Sequence, residues 1–254
     1  MNHHYGKQVH LISTISLKTR IAQMGHPETF QPQMNFFIER IYLELLWTVL
    51  QKEFPTKTQS FPTRMAQFHP EANISGEFID PHTSVVCVNL ARAGTLPSHI
   101  CYSELNTILN PQKVRQDHIS ISRSTDDKNQ VKGAQVSGHK IGGSIDNAIV
   151  LIPDPMGATG NTIVETRKLY EPYGTPQKWI TIHSIVTPEY LKKVTTECPD
   201  VTVYAGRLDR GLSSEKVLNS EPGEFWDEEK GLNENQYIVP GAGGIGEVLN
   251  NSFV

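Results

Sequence analysis

The stretch 151-LIPDPMGATGNT-162 runs from aliphatic residues through an acid into a segment almost without side-chain bulk. Its apolar start reads as the end of a strand covered on both faces, where short aliphatic runs are the rule. Beyond it, Gly157 and Gly160 let backbone N–H groups turn toward a ligand with no Cβ in the way, and Thr159 and Thr162 add hydroxyls. A helix opening near Asn161 adds the positive end of its dipole, so the segment reads as a phosphate cradle at a strand-to-helix turn. An acid at the head of such a cradle is repelled unless ribose hydroxyls or a magnesium ion occupy it, and Asp154 therefore points to a ribose 5-phosphate held at both ends. The stretch contains neither Gly-Lys-Ser/Thr nor GxGxxG, which excludes a triphosphate loop and a dinucleotide fingerprint there.

Four segments carry the strand texture, one of them leading into this stretch: SVVCVNL (84–90), AIVLIP (148–153), WITIHSIV (179–186) and VTVYAG (201–206). Helical patterns at 97–109, 161–171 and 188–197 lie between them. This alternation predicts an α/β fold, a Rossmann-like parallel sheet flanked by helices, with ligands bound beyond the carboxyl ends of the strands. Upstream, Phe37, Ile41, Leu45 and Val49 recur at steps of four within 33–53 and predict an amphipathic helix. Residues 54–81 are broken by Pro55, Pro62, Pro70 and Gly76 and read as loops with one short strand pair. In 118–144, two alternating runs around TDDKNQ predict a projecting β-hairpin flap with Arg123 near its tip. No repeat or linker divides the chain. The expectation is a single domain over 1–254 with a small hood: an N-terminal helical part to about 80, a core over 84–206, an insertion near 213–232 and a C-terminal segment 233–254.

A net charge of −4 on 254 residues, with basic side chains scattered, leaves no electrostatic footprint for nucleic acid. No apolar run approaches the roughly 18 residues of a membrane span, and the N-terminus lacks the layout of a signal peptide. Cys87, Cys101 and Cys198 have no CxxC spacing and no even count, which argues against disulfides or a zinc site and for a cytoplasmic protein. Ten histidines include no HExxH, and His183, inside a strand pattern, reads as structural.

LIPDPMGATGNT resembles the phosphoribosyl-diphosphate loop of type I phosphoribosyltransferases, and its Asp-Pro-Met-x-Ala-Thr-Gly form is similar to that of the uracil phosphoribosyltransferase family. Further matches follow in that family's order: NLARAG (89–94) its Arg-Ala-Gly loop, SRSTDD (122–127) its flap arginine, CPDVTVYAGRLDRGL (198–212) its penultimate strand region, and NENQYIVPGAGGIGE (233–247) its base-binding segment. The resemblance implies transfer of phosphoribosyl from 5-phosphoribosyl 1-diphosphate to uracil or another base, with magnesium carried by the diphosphate. It further implies that Asp154, Pro155, Met156, Gly157, Ala158, Thr159, Gly160, Asn161 and Thr162 hold the ribose phosphate. Arg92, Ala93 and Gly94 would hold diphosphate, and Arg123 would close over it. Main-chain groups around Ile238, Gly243, Gly244 and Ile245 would read the base. A homodimer or higher homo-oligomer is the family's usual state.

Two departures stand out. The family reads Pro-Gly-x-Gly-Asp-x-Gly-Asp where this chain has Pro240-Gly241-Ala242-Gly243-Gly244-Ile245-Gly246-Glu247, so the acid that the family brings to the diphosphate and its metal is Gly244. About 20 extra residues, roughly Ser213 to Leu232, precede Asn233. Asp227, Glu228 or Glu229 of this insertion could supply the missing acid, or the insertion could be a surface or subunit contact. A transferase for another base, or a catalytically weak homologue that senses nucleotides, fits the altered segment as well.

Overall fold

The computed structural model describes residues 1–125 and 131–253, of which 122–125 and 131–135 by their backbone alone. Val9–Leu11 forms strand β1, and Thr14, accepting from the Leu17 N–H at 3.2 Å, caps helix α1 (Ile15–Met24). Neither element stood out in the sequence: three residues are too few to show alternation, and α1 has only Leu17, Ile21 and Met24 on its buried face. Helix α2 (Gln33–Glu53) buries Ile38, Ile41, Tyr42, Leu45, Leu46 and Val49 completely. Each such aliphatic side chain stabilises the fold by roughly 1.5–3 kcal/mol. The helix stops where Pro55 holds Phe54 extended at φ −84°, ψ 140°. The proline-broken region then forms an antiparallel arm, β2 (Thr56–Pro62) and β3 (Asn73–Ile79), in a sheet of its own.

The core alternates as expected: β4 (Val85–Ala91), α3 (Thr95–Ile108), β5 (Val114–Thr125), β6 (Val131–Lys140), β7 (Ile149–Pro153), β8 (Met156–Gly157), α4 (Asn161–Leu169), β9 (Lys178–Val186), α5 (Pro188–Glu197) and β10 (Val201–Leu208). The sheet order is β1-β10-β9-β7-β4-β5-β6, with β8 beside β9. Every pairing in it is parallel except β5 with β6. Alternate residues separate two cores: Val85, Cys87, Ile149 and Leu151 meet α1, α2 and α3, whereas Val86, Val88, Val150 and Ile152 meet α4 and α5. Burial on both faces is why these strands read as unbroken apolar runs.

The hairpin begins at His118, where its sequence suggested, but its first strand starts earlier, at Val114. Residues 114–120 of β5 pair with β4, and from His118 onward the strand also pairs with β6 at the edge of the same sheet. Polar residues hid that root, because Asp117, 1% exposed, is a structural anchor. It accepts from Arg115 Nε (3.1 Å) and Nη2 (3.3 Å), the Tyr170 hydroxyl (2.9 Å) and the Gly142 N–H (2.9 Å).

After β10 the chain holds two short helices, α6 (Glu215–Leu218) and α7 (Ile245–Asn250). Among the described residues no helix is long and apolar enough to cross a membrane.

Candidate active site

Strands β4 and β7 lie side by side and parallel, and the chain leaves them in opposite directions, β4 toward β5 and β7 toward β9. Open α/β sheets bind ligands at such a switch point. The Arg92-Ala93-Gly94 loop follows β4 and the Asp154–Thr162 loop follows β7, so the topology brings together two sequence-predicted segments. Gly94 shows how closely: a Cβ there would fall 2.8 Å from the Leu90 carbonyl oxygen and 3.0 Å from that of Pro153.

In the Asp154 loop the carbonyls are taken by β9 and the start of α5. Asp154 C=O accepts from His183 Nδ1 (2.6 Å), Pro155 from the Ile185 N–H (3.1 Å), Gly157 from the Thr187 N–H (3.1 Å) and Ala158 from the Thr187 hydroxyl (2.6 Å). Among the described residues, the N–H groups of Thr159 and Gly160 have no protein acceptor. The loop thus ties down its acceptors and keeps donors for an anion at the N-terminus of α4. Gly157 has no space for a side chain, since a Cβ would meet Val186 Cγ1 at 2.9 Å and the Tyr190 ring at 3.0 Å. Gly160 caps α4 at φ +81°, in the left-handed region that favours glycine.

Arg92 is exposed and donates through Nη1 to Ser252 Oγ at 2.8 Å. Ala93 lies against the C-terminal segment, with its Cβ 3.2 Å from where a Cβ of Gly246 would be. Arg123 pairs through its backbone with Ala134 in the hairpin. Its side chain and the hairpin tip, residues 126–130, lie outside the described residues.

The segment expected to read the base is clamped from beneath by a pair that sequence reading missed. Asp209, 2% exposed, accepts from Arg207 Nε (2.6 Å) and Nη2 (2.7 Å) and from the Gly241 N–H (2.7 Å), while Arg207 Nη2 also donates to Gly241 C=O (2.8 Å). Ile238 and Ile245 send their side chains into the core, at 9% and 1% exposure. That burial anchors the backbone around them. The carbonyls of Gly243 and Gly244 each already accept an N–H at the start of α7, from Ile245 and from Glu247 and Val248. Tyr237-Ile238-Val239 runs against Gly231–Asn233, with a β-bridge from Leu232 to Ile238. Asn233 closes the chain into a tight loop by taking the N–H groups of Asn235 and Tyr237 on its side chain.

An acid of the segment itself lies beside Gly244. The Glu247 carboxylate sits where a Cβ of Gly244 would be. Two of the insertion's three candidate acids are engaged elsewhere: Asp227 pairs with Lys192 at the surface, and Glu229 accepts from Arg210, the Tyr5 hydroxyl and the Gly223 N–H. Lying one methylene farther out than an aspartate, Glu247 can curl back over its own helix start. The signal was present in the sequence, because Glu247 stands at the family's second acid position.

All three cysteines are buried and unpaired, and burial pushes each thiol above its ordinary range, which keeps them out of the site's chemistry.

The chain is similar to known proteins along most of its length. The model of the uracil phosphoribosyltransferase family matches residues 11–228. A Thermococcus sibiricus uracil phosphoribosyltransferase is 30% identical over 98 residues, covering 39% of this chain and 34% of that protein. The matched part spans about a third of this and the other archaeal relatives. A Mycoplasma genitalium uracil phosphoribosyltransferase is 26% identical over 229 residues, which is 90% of this chain and 92% of that one. A solved protein from Aquifex aeolicus shares the fold with a TM-score of 0.70 at 21% identity, covering 95% of this chain and 97% of its own. Through the family match, which takes in both loops at the switch point, this chain belongs to the uracil phosphoribosyltransferase family.

Proposed function

We propose that this chain transfers the phosphoribosyl group of 5-phosphoribosyl 1-diphosphate to uracil, giving UMP and diphosphate. The observation that carries this reading is the meeting of the Arg92 and Asp154 loops at the switch point, with the Gly241–Glu247 segment packed over Ala93. In this reading the amides of the Asp154–Thr162 loop hold the 5-phosphate, the Asp154 carboxylate the ribose hydroxyls, and Arg92 with Ala93 and Gly94 the diphosphate. Arg123 closes from the hairpin. The reacting ribose carbon loses diphosphate as it gains the base nitrogen, so fixed donors on the leaving group lower the barrier and no protein nucleophile is needed. The main chain around Ile238, Gly243, Gly244 and Ile245 discriminates the base, because a mismatched base leaves buried polar atoms unpaired.

Among the described residues, no three His, Cys, Asp or Glu side chains gather as a metal cage. Magnesium would be carried by the diphosphate oxygens, with Asp154 and Glu247 as candidate acids toward it. When bound, it would neutralise charge on the departing diphosphate. The three unpaired cysteines support a cytoplasmic setting. The arm leaves Phe61, Met65, Phe68 and Ile74 exposed, which supports a homo-oligomer in which a second copy covers them.

A second reading follows from Glu247 over Gly244: a transferase for another base, or a nucleotide-binding regulator without turnover. Diphosphate release measured with phosphoribosyl diphosphate, magnesium and a panel of free bases separates the three. Release with uracil alone among the bases is expected. Release with a purine instead replaces the base, and binding of UMP without release for any base replaces the enzyme by a sensor.

A further inference from the structure

We propose that His183 and Tyr190 form a buried brace that sets the Asp154 peptide and the loop beyond it, and thereby governs affinity for phosphoribosyl ligands. The inference rests on the phosphoribosyl reading of the Asp154 loop. His183 has no exposed surface, and both ring nitrogens are in use: Nδ1 lies 2.6 Å from Asp154 C=O and Nε2 2.6 Å from the Tyr190 hydroxyl. A carbonyl oxygen can only accept, so the proton sits on Nδ1, and Nε2 must accept from the phenol. The Thr181 hydroxyl, 3.2 Å from the phenol oxygen, completes the chain. Desolvation holds the imidazole neutral, which keeps this single tautomer.

Tyr190 also acts directly on the loop. Its ring fills the space that a side chain at 157 would need, and its N–H donates at 3.0 Å to the same Thr187 hydroxyl that donates to Ala158 C=O. Side chains 183, 187 and 190 therefore fix the loop at 154, 157 and 158. Turning any of those peptides would rotate a phosphate-facing amide with it. A buried histidine serving only the core would owe nothing to the loop's carbonyls.

The test compares His183→Asn, whose amide keeps a donor near Nδ1, with His183→Leu, which keeps bulk and loses the donor, and with Tyr190→Phe. Calorimetry with phosphoribosyl diphosphate and magnesium is expected to show binding weakened about tenfold in His183→Leu and changed by less than about threefold in His183→Asn, the size of one buried hydrogen bond. Tyr190→Phe should fall between them. Equal affinity in His183→Leu and the parent overturns the brace. So does equal weakening in His183→Asn and His183→Leu, which would mean general damage. Should the leucine variant fail to fold, ¹⁵N spectra of the parent decide, since a proton found on Nε2 instead of Nδ1 overturns the geometry. A parent that binds phosphoribosyl diphosphate but releases none of it to any base sinks the transferase reading and leaves the brace standing. A parent that does not bind it sinks both.

Discussion

Glu229 meets Arg210 at 2.6 Å with 0% of its side chain and 10% of the arginine's exposed, and in doing so it fastens the insertion to the loop that follows β10. The same carboxylate takes the Tyr5 hydroxyl and the Gly223 N–H, so one buried charge joins the chain's beginning, its insertion and its core. Glu229→Ala leaves a guanidinium uncompensated in that setting and is expected to cost about 3–5 kcal/mol in chemical denaturation. Asp227→Asn, at a surface pair, should leave the midpoint unchanged. Equal effects from the two would contradict the buried lock.

Gly244→Asp puts back the family's residue, yet a gain of activity is not expected. The new Cβ would fall on the Glu247 carboxylate, and two acids in contact repel. Affinity for phosphoribosyl diphosphate should drop about tenfold, equivalent to roughly one pKa unit of repulsion. The double variant Gly244→Asp, Glu247→Ser should recover most of that loss. A large rise in turnover from the single variant would instead mark this chain as a decayed enzyme.

Gly94→Ala tests the junction of the two loops. Its Cβ meets backbone oxygens of both β4 and β7, neither of which can swing aside. The expected cost is about 1–3 kcal/mol of stability, together with weaker binding of phosphoribosyl diphosphate, because the loops must part. Gly243→Ala has open space around its Cβ but sits at φ +69°, so about 1 kcal/mol of backbone strain is expected and the loops stay together. Thermal denaturation with and without ligand separates the two behaviours.

His183 also sets a pH limit. Desolvation lowers its pKa from 6.5 to about 4 against the raising effect of the bond to Asp154 C=O, so between these values the unfolded chain binds a proton that the folded chain does not. Stability from this group is fully present above pH 6.5 and declines as pH falls from 6.5 toward 4, by about 3 kcal/mol in total. Urea denaturation in steps across that interval should show the decline, and His183→Asn should flatten it. An unchanged slope in the variant would assign the decline to other groups.

How much of this was legible beforehand varies with the kind of signal. Strands β4, β7, β9 and β10 announced themselves because burial on both faces removes polar residues from them. The loops at 92–94 and 154–162 did so because close backbone approach demands glycine. Asp117 and Asp209 did not, since a buried polar residue looks like a surface one until its partner is located; His183 read as structural, but its tie to the Asp154 loop did not show, and the partners of Asp209 and His183 include backbone atoms 32 and 29 residues away. The parallel root of β5 was concealed for the same reason by Arg115 and Asp117. Glu247 was visible as a residue, but its reach back over Gly244 depends on the turn that starts α7.

Strand β1 has a consequence for synthesis. Its partner is β10, with Val9 beside Val203, so β1 stays unpaired during synthesis until β10, far later in the chain, has followed it. Residues 9–11 therefore close the sheet as a final step, and α1, which packs on β10, closes with them. The nascent chain can assemble β4 to β9 while β1 waits outside the fold.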